Sequence, residues 1–243
     1  RAELLDLTAQ ERRRRWGSRP WVFDPLTICS WPHGMFWNPV PACVDAERAE
    51  SLATAFIFAG RKPGAEPASG NAEFFNKEAA GILKVLLHAA ALADKNMSHV
   101  VFWAKNVADR WDDAAEIIRS SDDPRAERSW VDDLRNSATG TSKSTADTQK
   151  TLQQLISPVA PTAKLAWPPP PPERVEFDPS EFVTARDTLY IVCDSNRPQN
   201  LAPLCAMLLQ AVVDAGKQAA AHTIAGRLDP PMRLCGDELT NVA

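Results

Sequence analysis

Thr188-Leu-Tyr-Ile-Val-Cys193 decides the fold. Its β-branched and aromatic residues suit a pleated, largely buried surface, so the run reads as a β-strand. Downstream, residues 201–221 carry a long helical pattern. Asp229-Pro-Pro231 then breaks the chain ahead of a second short apolar run, Met232-Arg-Leu-Cys-Gly236. Strand, long helix, strand is a βαβ unit, and its connection demands a parallel sheet with a right-handed crossover. Just upstream, Asp178-Pro-Ser-Glu181 has the order of a helix start: an aspartate cap, proline at the first helical position and glutamate at the third.

Strand signals return only at the other end of the chain. Trp21-Val-Phe-Asp24-Pro25 reads as a buried strand cut off by Asp-Pro, preceded by a helix over residues 3–15. Trp37-Asn-Pro-Val is a turn, and a helix over 45–58 shows Ala49, Leu52, Ala53 and Phe56 on one face. The stretch from Gly60 to Gly70 is rich in Gly, Pro and Ser and marks a boundary. Beyond it the pattern is helical throughout. Asn71 is placed as an N-cap, and Phe75, Ala79, Ile82, Leu83, Leu86, Leu87 and Ala90 follow at spacings of three and four, the stripe of a core helix. Shorter helices are expected over 98–106, 111–120, 124–137 and 145–156. Five prolines, Pro168 to Pro172, then form a stiff polyproline II spacer.

The expectation is an α/β fold. Segments 1–60 and 173–243 contribute to one parallel sheet, residues 61–166 form an inserted all-α domain, and 167–172 is the proline-rich linker.

Bulk composition narrows the functional classes. Lys+Arg 27 against Asp+Glu 31 gives a net charge of −4, which excludes a small, wholly basic DNA-binding module but not a local basic surface. The five cysteines (29, 43, 193, 205 and 235) are widely spaced and form no C-x-x-C, so neither a zinc site nor a disulfide framework is indicated. The four histidines lack ligand spacing; His88, inside the core stripe, reads as a packed residue or one at the solvent edge. No apolar run reaches the roughly 18 residues that span a bilayer.

Carboxylates at strand ends carry the chemistry. In a parallel sheet, ligands bind beyond the C-terminal ends of the strands. Asp237-Glu238 closes the last apolar run there, in the pattern of a Walker B strand: the first carboxylate holds Mg²⁺ and its neighbour orients or deprotonates the attacking water. Asp24 ends the Trp21 strand and could face the same cleft or form a turn with Pro25. Asp194 has the same two readings. Arg233 and Gly236 are unwelcome inside a central strand. Gly140-Thr-Ser-Lys-Ser-Thr145 fails as a phosphate loop, because serine stands at both positions where glycines are needed, 137 and 142; it reads as a surface turn. The run Arg12 to Arg15 either complements the C-terminal dipole of its helix or contacts phosphates.

The order of these pieces is similar to one family. Val22-Phe-Asp-Pro25, Trp37-Asn-Pro39, Phe74-Phe75 with Ala79-Ala80, Leu86-Leu-His-Ala-Ala-Ala-Leu92, Met97 and Trp103 are followed by Phe177-Asp-Pro with Phe182, Thr188-Leu-Tyr190, Ala202-Pro-Leu204, Leu228-Asp-Pro-Pro231 and Asp237-Glu-Leu-Thr-Asn241. Together they resemble the TraG/TraD-type coupling proteins of type IV secretion and conjugation, particularly the actinobacterial branch. The resemblance covers nearly the whole chain. It implies a RecA-like P-loop ATPase domain interrupted by an all-α domain, working as a homo-hexamer at the cytoplasmic face of the cell membrane and anchored through segments outside this chain. Such a motor uses ATP and Mg²⁺ to pass DNA, or a relaxase–DNA complex, to the type IV secretion channel. By position, Asp237 would coordinate Mg²⁺, Glu238 would activate water, and Asp24 would be the acid ending the strand after the P-loop helix. Asn241 matches a recurring polar position without an assigned role. The sequence departs from the family where Cys235-Gly236 replaces bulkier apolar residues. It also has no G-x-x-x-x-G-K-[ST], so it reads as an internal piece of a larger NTPase with Walker A expected before Arg1. Two other readings use the same fold: a DNA translocase of the FtsK/HerA type, and a catalytically inert structural or docking subunit of such a ring.

Overall fold

The computed structural model describes residues 3–26, 28–29, 31, 35–59, 70–160, 175–192 and 198–235. The order of elements is α1 (Glu3–Trp16), β1 (Pro20–Phe23), β2 (Met35–Phe36), a 3₁₀ turn (Pro41–Val44), α2 (Ala46–Ala59), α3 (Gly70–Leu92), α4 (Met97–Lys105), α5 (Val107–Ser120), α6 (Trp130–Thr139), α7 (Lys143–Ile156), β3 (Val175–Glu176), α8 (Pro179–Phe182), β4 (Thr188–Ile191) and α9 (Pro198–Ala221). The chain is mostly helical with a small parallel sheet.

Strands from the two ends of the sequence meet. β1 and β4 run parallel with Pro20, Trp21, Val22 and Phe23 opposite Thr188, Leu189, Tyr190 and Ile191. The ladder extends through Thr188 N–H to the Arg19 carbonyl and Val192 N–H to the Phe23 carbonyl. Because side chains alternate across a strand, the two faces of this pair bury different partners. Trp21 and Phe23, with Leu189 and Ile191, pack into the main helical core. Val22, Tyr190 and Val192 pack instead against Leu5 and Ala9 of α1. The Tyr190 hydroxyl and Thr8 Oγ1 lie 2.7 Å apart, which fixes α1 across that face. The α1 helix ends where Gly17, at φ +64°, turns left-handed and donates its N–H to the Arg13 carbonyl at 3.0 Å, a conformation that costs glycine nothing.

The segment 70–160 contains helices and turns and no strand. α3 is its axis, packed against α2 on one side and α4, α5, α6 and α7 on others. α2 in turn packs on α9, where Ser51 Oγ donates to Asp214 Oδ2 at 2.7 Å and Gln210 Nε2 donates to Asp214 Oδ1 at 2.8 Å. One apolar core therefore runs without a break from Trp21 and Phe23 through α2 and α3 to Met207, Leu208 and Val212. His88 lies inside it, fully buried. Its Nε2 accepts the Glu127 N–H at 3.0 Å, which makes the ring the neutral tautomer whose Nδ1–H donates to the Cys43 carbonyl at 2.8 Å.

Several expectations change. The final strand is absent from its described part: residues 231–235 have no regular structure, Leu234 is 67% exposed and Cys235 is exposed. Pro230 and Pro231 offer no backbone donors, and Arg233 cannot be buried alone, so this run lacks what a ladder and a core require. The βαβ unit is thus not completed among the described residues. The helix expected over 124–137 begins only at Trp130. Residues 124–129 form turns, organised by Arg125 on Asp123 and by the Glu127 amide on His88. Asn71 lies within α3, which already includes Gly70, so it is not the cap. By contrast, Asp178 caps α8 as its sequence implies, accepting the Ser180 N–H at 2.7 Å with Pro179 in the first turn. The pairing of β2 with β3, Met35 and Phe36 opposite Val175 and Glu176, has no counterpart in the sequence reading. Most of the Gly60 to Gly70 break, the Pro168 to Pro172 spacer, Cys193 and Asp194 lie outside the described residues. No helix among the described residues is long and apolar enough to cross a membrane.

Candidate functional site at the C-terminal rim of the sheet

Parallel pairing puts the C-terminal ends of β1 and β4 on one rim, where α/β ligand sites form. Asp24 stands there, directly after Phe23 and half-buried. Its carboxylate closes a turn: Oδ1 accepts the Ile28 N–H at 2.9 Å and Oδ2 accepts the Cys29 N–H at 2.7 Å. The Cys29 thiol hydrogen-bonds to the same carboxylate. Turn formation, one of the two roles open in the sequence, is therefore what Asp24 does in this structure.

Cys29 and Trp31 complete the described rim, and both pack against the Val22, Tyr190 and Val192 face. Burial, reinforced by the adjacent Asp24 carboxylate, pushes the Cys29 thiol up to about 11, so it is a protonated thiol at neutral pH and not a nucleophile. The Trp31 indole Nε1 is buried with no partner among the described residues. Neither residue stood out in the sequence. The only available signal was the Asp24-Pro25 break, whose amide-capping turn draws the next polar groups onto the rim.

Asp237 and Glu238 lie outside the described residues, as does Asn241. Of the candidate acids, the structure thus places Asp24 alone. Among the described residues, no group of three or more His, Cys, Asp or Glu side chains could hold a metal ion.

The segment resembling a phosphate loop is a helix–helix turn. Ser142 Oγ caps α7 by accepting the Thr145 N–H at 3.1 Å, and Gln149 Nε2 ties α7 to the Ser137 and Ala138 carbonyls at 2.9 Å each. Lys143 is exposed at the start of α7, a helix that packs on α3, α4 and α6.

No family model, no curated protein and no solved structure matches this chain.

Proposed function

We propose that this chain is part of an ATP-driven coupling protein of the TraG/TraD type, which delivers DNA or a relaxase–DNA substrate to a type IV secretion or conjugation channel. The supporting observation is the parallel β1–β4 pair: segments nearly 170 positions apart, separated by an all-helical block, share one sheet with Asp24 at its C-terminal rim. That is the arrangement a RecA-like sheet interrupted by a helical insertion requires. On this reading ATP and Mg²⁺ bind at the rim, Asp237 holds the metal through water, Glu238 orients the attacking water, and Asp24 lines the same cleft. The working form is a ring, a homo-hexamer, at the cytoplasmic face of the membrane and anchored by segments outside this sequence.

The test uses the product of the complete reading frame that encodes this chain. Mg²⁺-dependent ATP turnover is expected, with Glu238→Gln lowering it by about 10²–10⁴-fold while nucleotide binding persists. Asp237→Asn is expected to weaken Mg²⁺-dependent nucleotide binding itself. Turnover indifferent to both substitutions, or no nucleotide binding at all, would overturn the proposal. A second reading, an inert structural or docking subunit of such a ring, is favoured by one observation: Leu234 and Cys235 are exposed where a buried Walker B strand should run. The same assay separates the two, because the inert subunit hydrolyses nothing.

A further inference from the structure

The opposite rim, at the N-terminal ends of β1 and β4, concentrates positive charge. There the last turn of α1, the turn into β1 and the turn between α8 and β4 come together. Thr188 N–H donates to the Arg19 carbonyl at 3.1 Å, and Arg12 Nε donates to Thr188 Oγ1 at 2.6 Å. These three segments, residues 11–19 and 183–187, carry six arginines (12, 13, 14, 15, 19 and 186) and two carboxylates, Glu11 and Asp187, in a protein whose net charge is −4.

Both carboxylates are already committed. Asp187 accepts the Arg19 N–H at 2.9 Å and the Trp21 Nε1–H at 3.0 Å, so it fixes the turn. Glu11 receives Arg14 at 3.0 Å and also Arg15. Arg13, Arg19 and Arg186 are exposed and have no ion pair among the described residues. Complementing the α1 dipole explains cations in its last turn, but not Arg186, which lies on another segment; the Arg19 guanidinium stacks over the Trp21 ring at 3.8 Å from its centroid and presents its edge.

An aromatic ring lies beside two of these guanidinium groups. Trp16 is 55% exposed, with the guanidinium groups of Arg12 and Arg15 at 5.4 and 6.0 Å from its ring centroid. Leaving an indole half in water wastes its burial energy, while an exposed ring among guanidinium groups is how sequence-tolerant sites stack unpaired bases beside a tracked phosphate backbone. A duplex offers phosphates but no free base face.

We propose that this rim binds single-stranded nucleic acid, with Trp16 stacking a base and Arg13, Arg14, Arg15, Arg19 and Arg186 contacting the phosphates. The inference deepens the function proposed above by assigning the surface that meets its DNA, and takes only the partner class from that reading.

The experiment measures binding of a fluorescent 20-nucleotide oligo(dT) to the purified chain over a series of salt concentrations. Arg13→Glu combined with Arg186→Glu is expected to weaken binding more than about tenfold and to flatten the slope of log K against log salt by about 0.7 for each phosphate no longer neutralised. Trp16→Ala is expected to weaken binding about tenfold with the salt slope unchanged, since stacking is not ionic. Trp16→Phe should recover much of that loss. Neither arginine forms an ion pair among the described residues, and circular dichroism checks that each variant keeps the parent fold. Unchanged oligo(dT) affinity in these variants, or duplex bound as tightly as oligo(dT), would overturn the assignment. No measurable oligo(dT) binding by the parent chain overturns it as well, even if an acidic peptide binds the same arginines. ATP turnover, followed separately in the complete protein, reports on the motor reading: oligo(dT) binding without turnover sinks that reading and leaves this surface standing.

Discussion

The imidazole of His88 accepts the backbone N–H of Glu127 across 3.0 Å, at the centre of the helical block and out of contact with water. This single hydrogen bond pins the α5–α6 connection to α3. The other ring nitrogen reaches the Cys43 carbonyl in the 3₁₀ turn, so one side chain satisfies two backbone groups from distant parts of the chain. Trp130 closes the site edge-on, its ring centroid 5.4 Å from the imidazole, and Lys84 lies over the same indole at 4.4 Å.

Replacing that ring with an apolar side chain strands a buried donor and a buried acceptor, at about 1–3 kcal/mol for each group left unsatisfied. His88→Leu is therefore expected to lower stability by about 2–6 kcal/mol, visible as a reduced midpoint in urea with an unchanged slope. A loss below about 1 kcal/mol would show that both backbone groups find other partners.

Gly140 joins α6 to α7 with no room for a side chain. A Cβ there would stand 2.5 Å from Thr145 Oγ1 and 2.8 Å from the Asn136 carbonyl oxygen, and the latter is backbone that cannot swing aside. Gly140→Ala is expected to destabilise the protein by about 1–3 kcal/mol, the usual range for overpacking. Thr145→Ser, made in the Gly140→Ala background, removes the Thr145 Cγ2 approach at 3.3 Å but not the backbone clash, so it should restore only part of the loss. Thermal melts of the two variants test this order.

The cysteines should differ sharply in reactivity. Cys235 is exposed, Cys29 partly so, and Cys43 and Cys205 are buried. Burial drives the Cys43 thiol far above its ordinary range, and Cys29 sits at about 11. Timed iodoacetamide labelling at neutral pH, read by peptide mass spectrometry, should modify Cys235 before these three. Raising the pH toward 11 should bring up Cys29 next, with Cys43 and Cys205 reacting only on unfolding. Fast labelling of Cys29 at neutral pH would contradict the Asp24 turn as drawn.

Asp123 responds to acid. Arg125 donates to both of its oxygens, chiefly through side-chain hydrogen bonds, and holds its carboxyl down to about 2 from an ordinary value of 3.8. A depressed carboxyl stabilises the fold above its unfolded pKa and loses that contribution as pH falls through the folded one. The window is thus pH 3.8 down to about 2. Carboxyl NMR of the protein should find Asp123 still ionised near pH 3, and Arg125→Ala should raise it part of the way toward the ordinary range, because the backbone N–H of residue 125 still donates to Oδ1 at 2.9 Å.

Helical periodicity and the two principal strands were legible in the sequence because burial imposes its period on side-chain chemistry. The stripe from Phe75 to Ala90 and the run from Thr188 to Ile191 are of that kind. That β1 and β4 share one sheet was legible in the segregation of strand signals to the two ends of the chain, whereas the parallel sense was expected from a β4–helix–Met232 unit whose last strand does not form among the described residues. What escaped were features fixed by partners far along the chain. His88 could not be read as a backbone staple without knowing that Cys43 and Glu127 flank it. The two-residue β2–β3 pair is too short to show alternation. The Met232 run was over-read as a strand, since its apolar residues suggested burial while Arg233 and the paired prolines denied it the means. At the candidate site, the Asp24 turn was one of two roles visible beforehand, whereas the rim contributions of Cys29 and Trp31 depend on how that turn folds back.

Helix α2 lends one flank to α3 and the other to α9, leaving no seam between the strand-bearing ends of the chain and the helical middle. Two lobes built this way share their melting: loosening either exposes apolar surface belonging to both, so calorimetry should record one cooperative endotherm and not two.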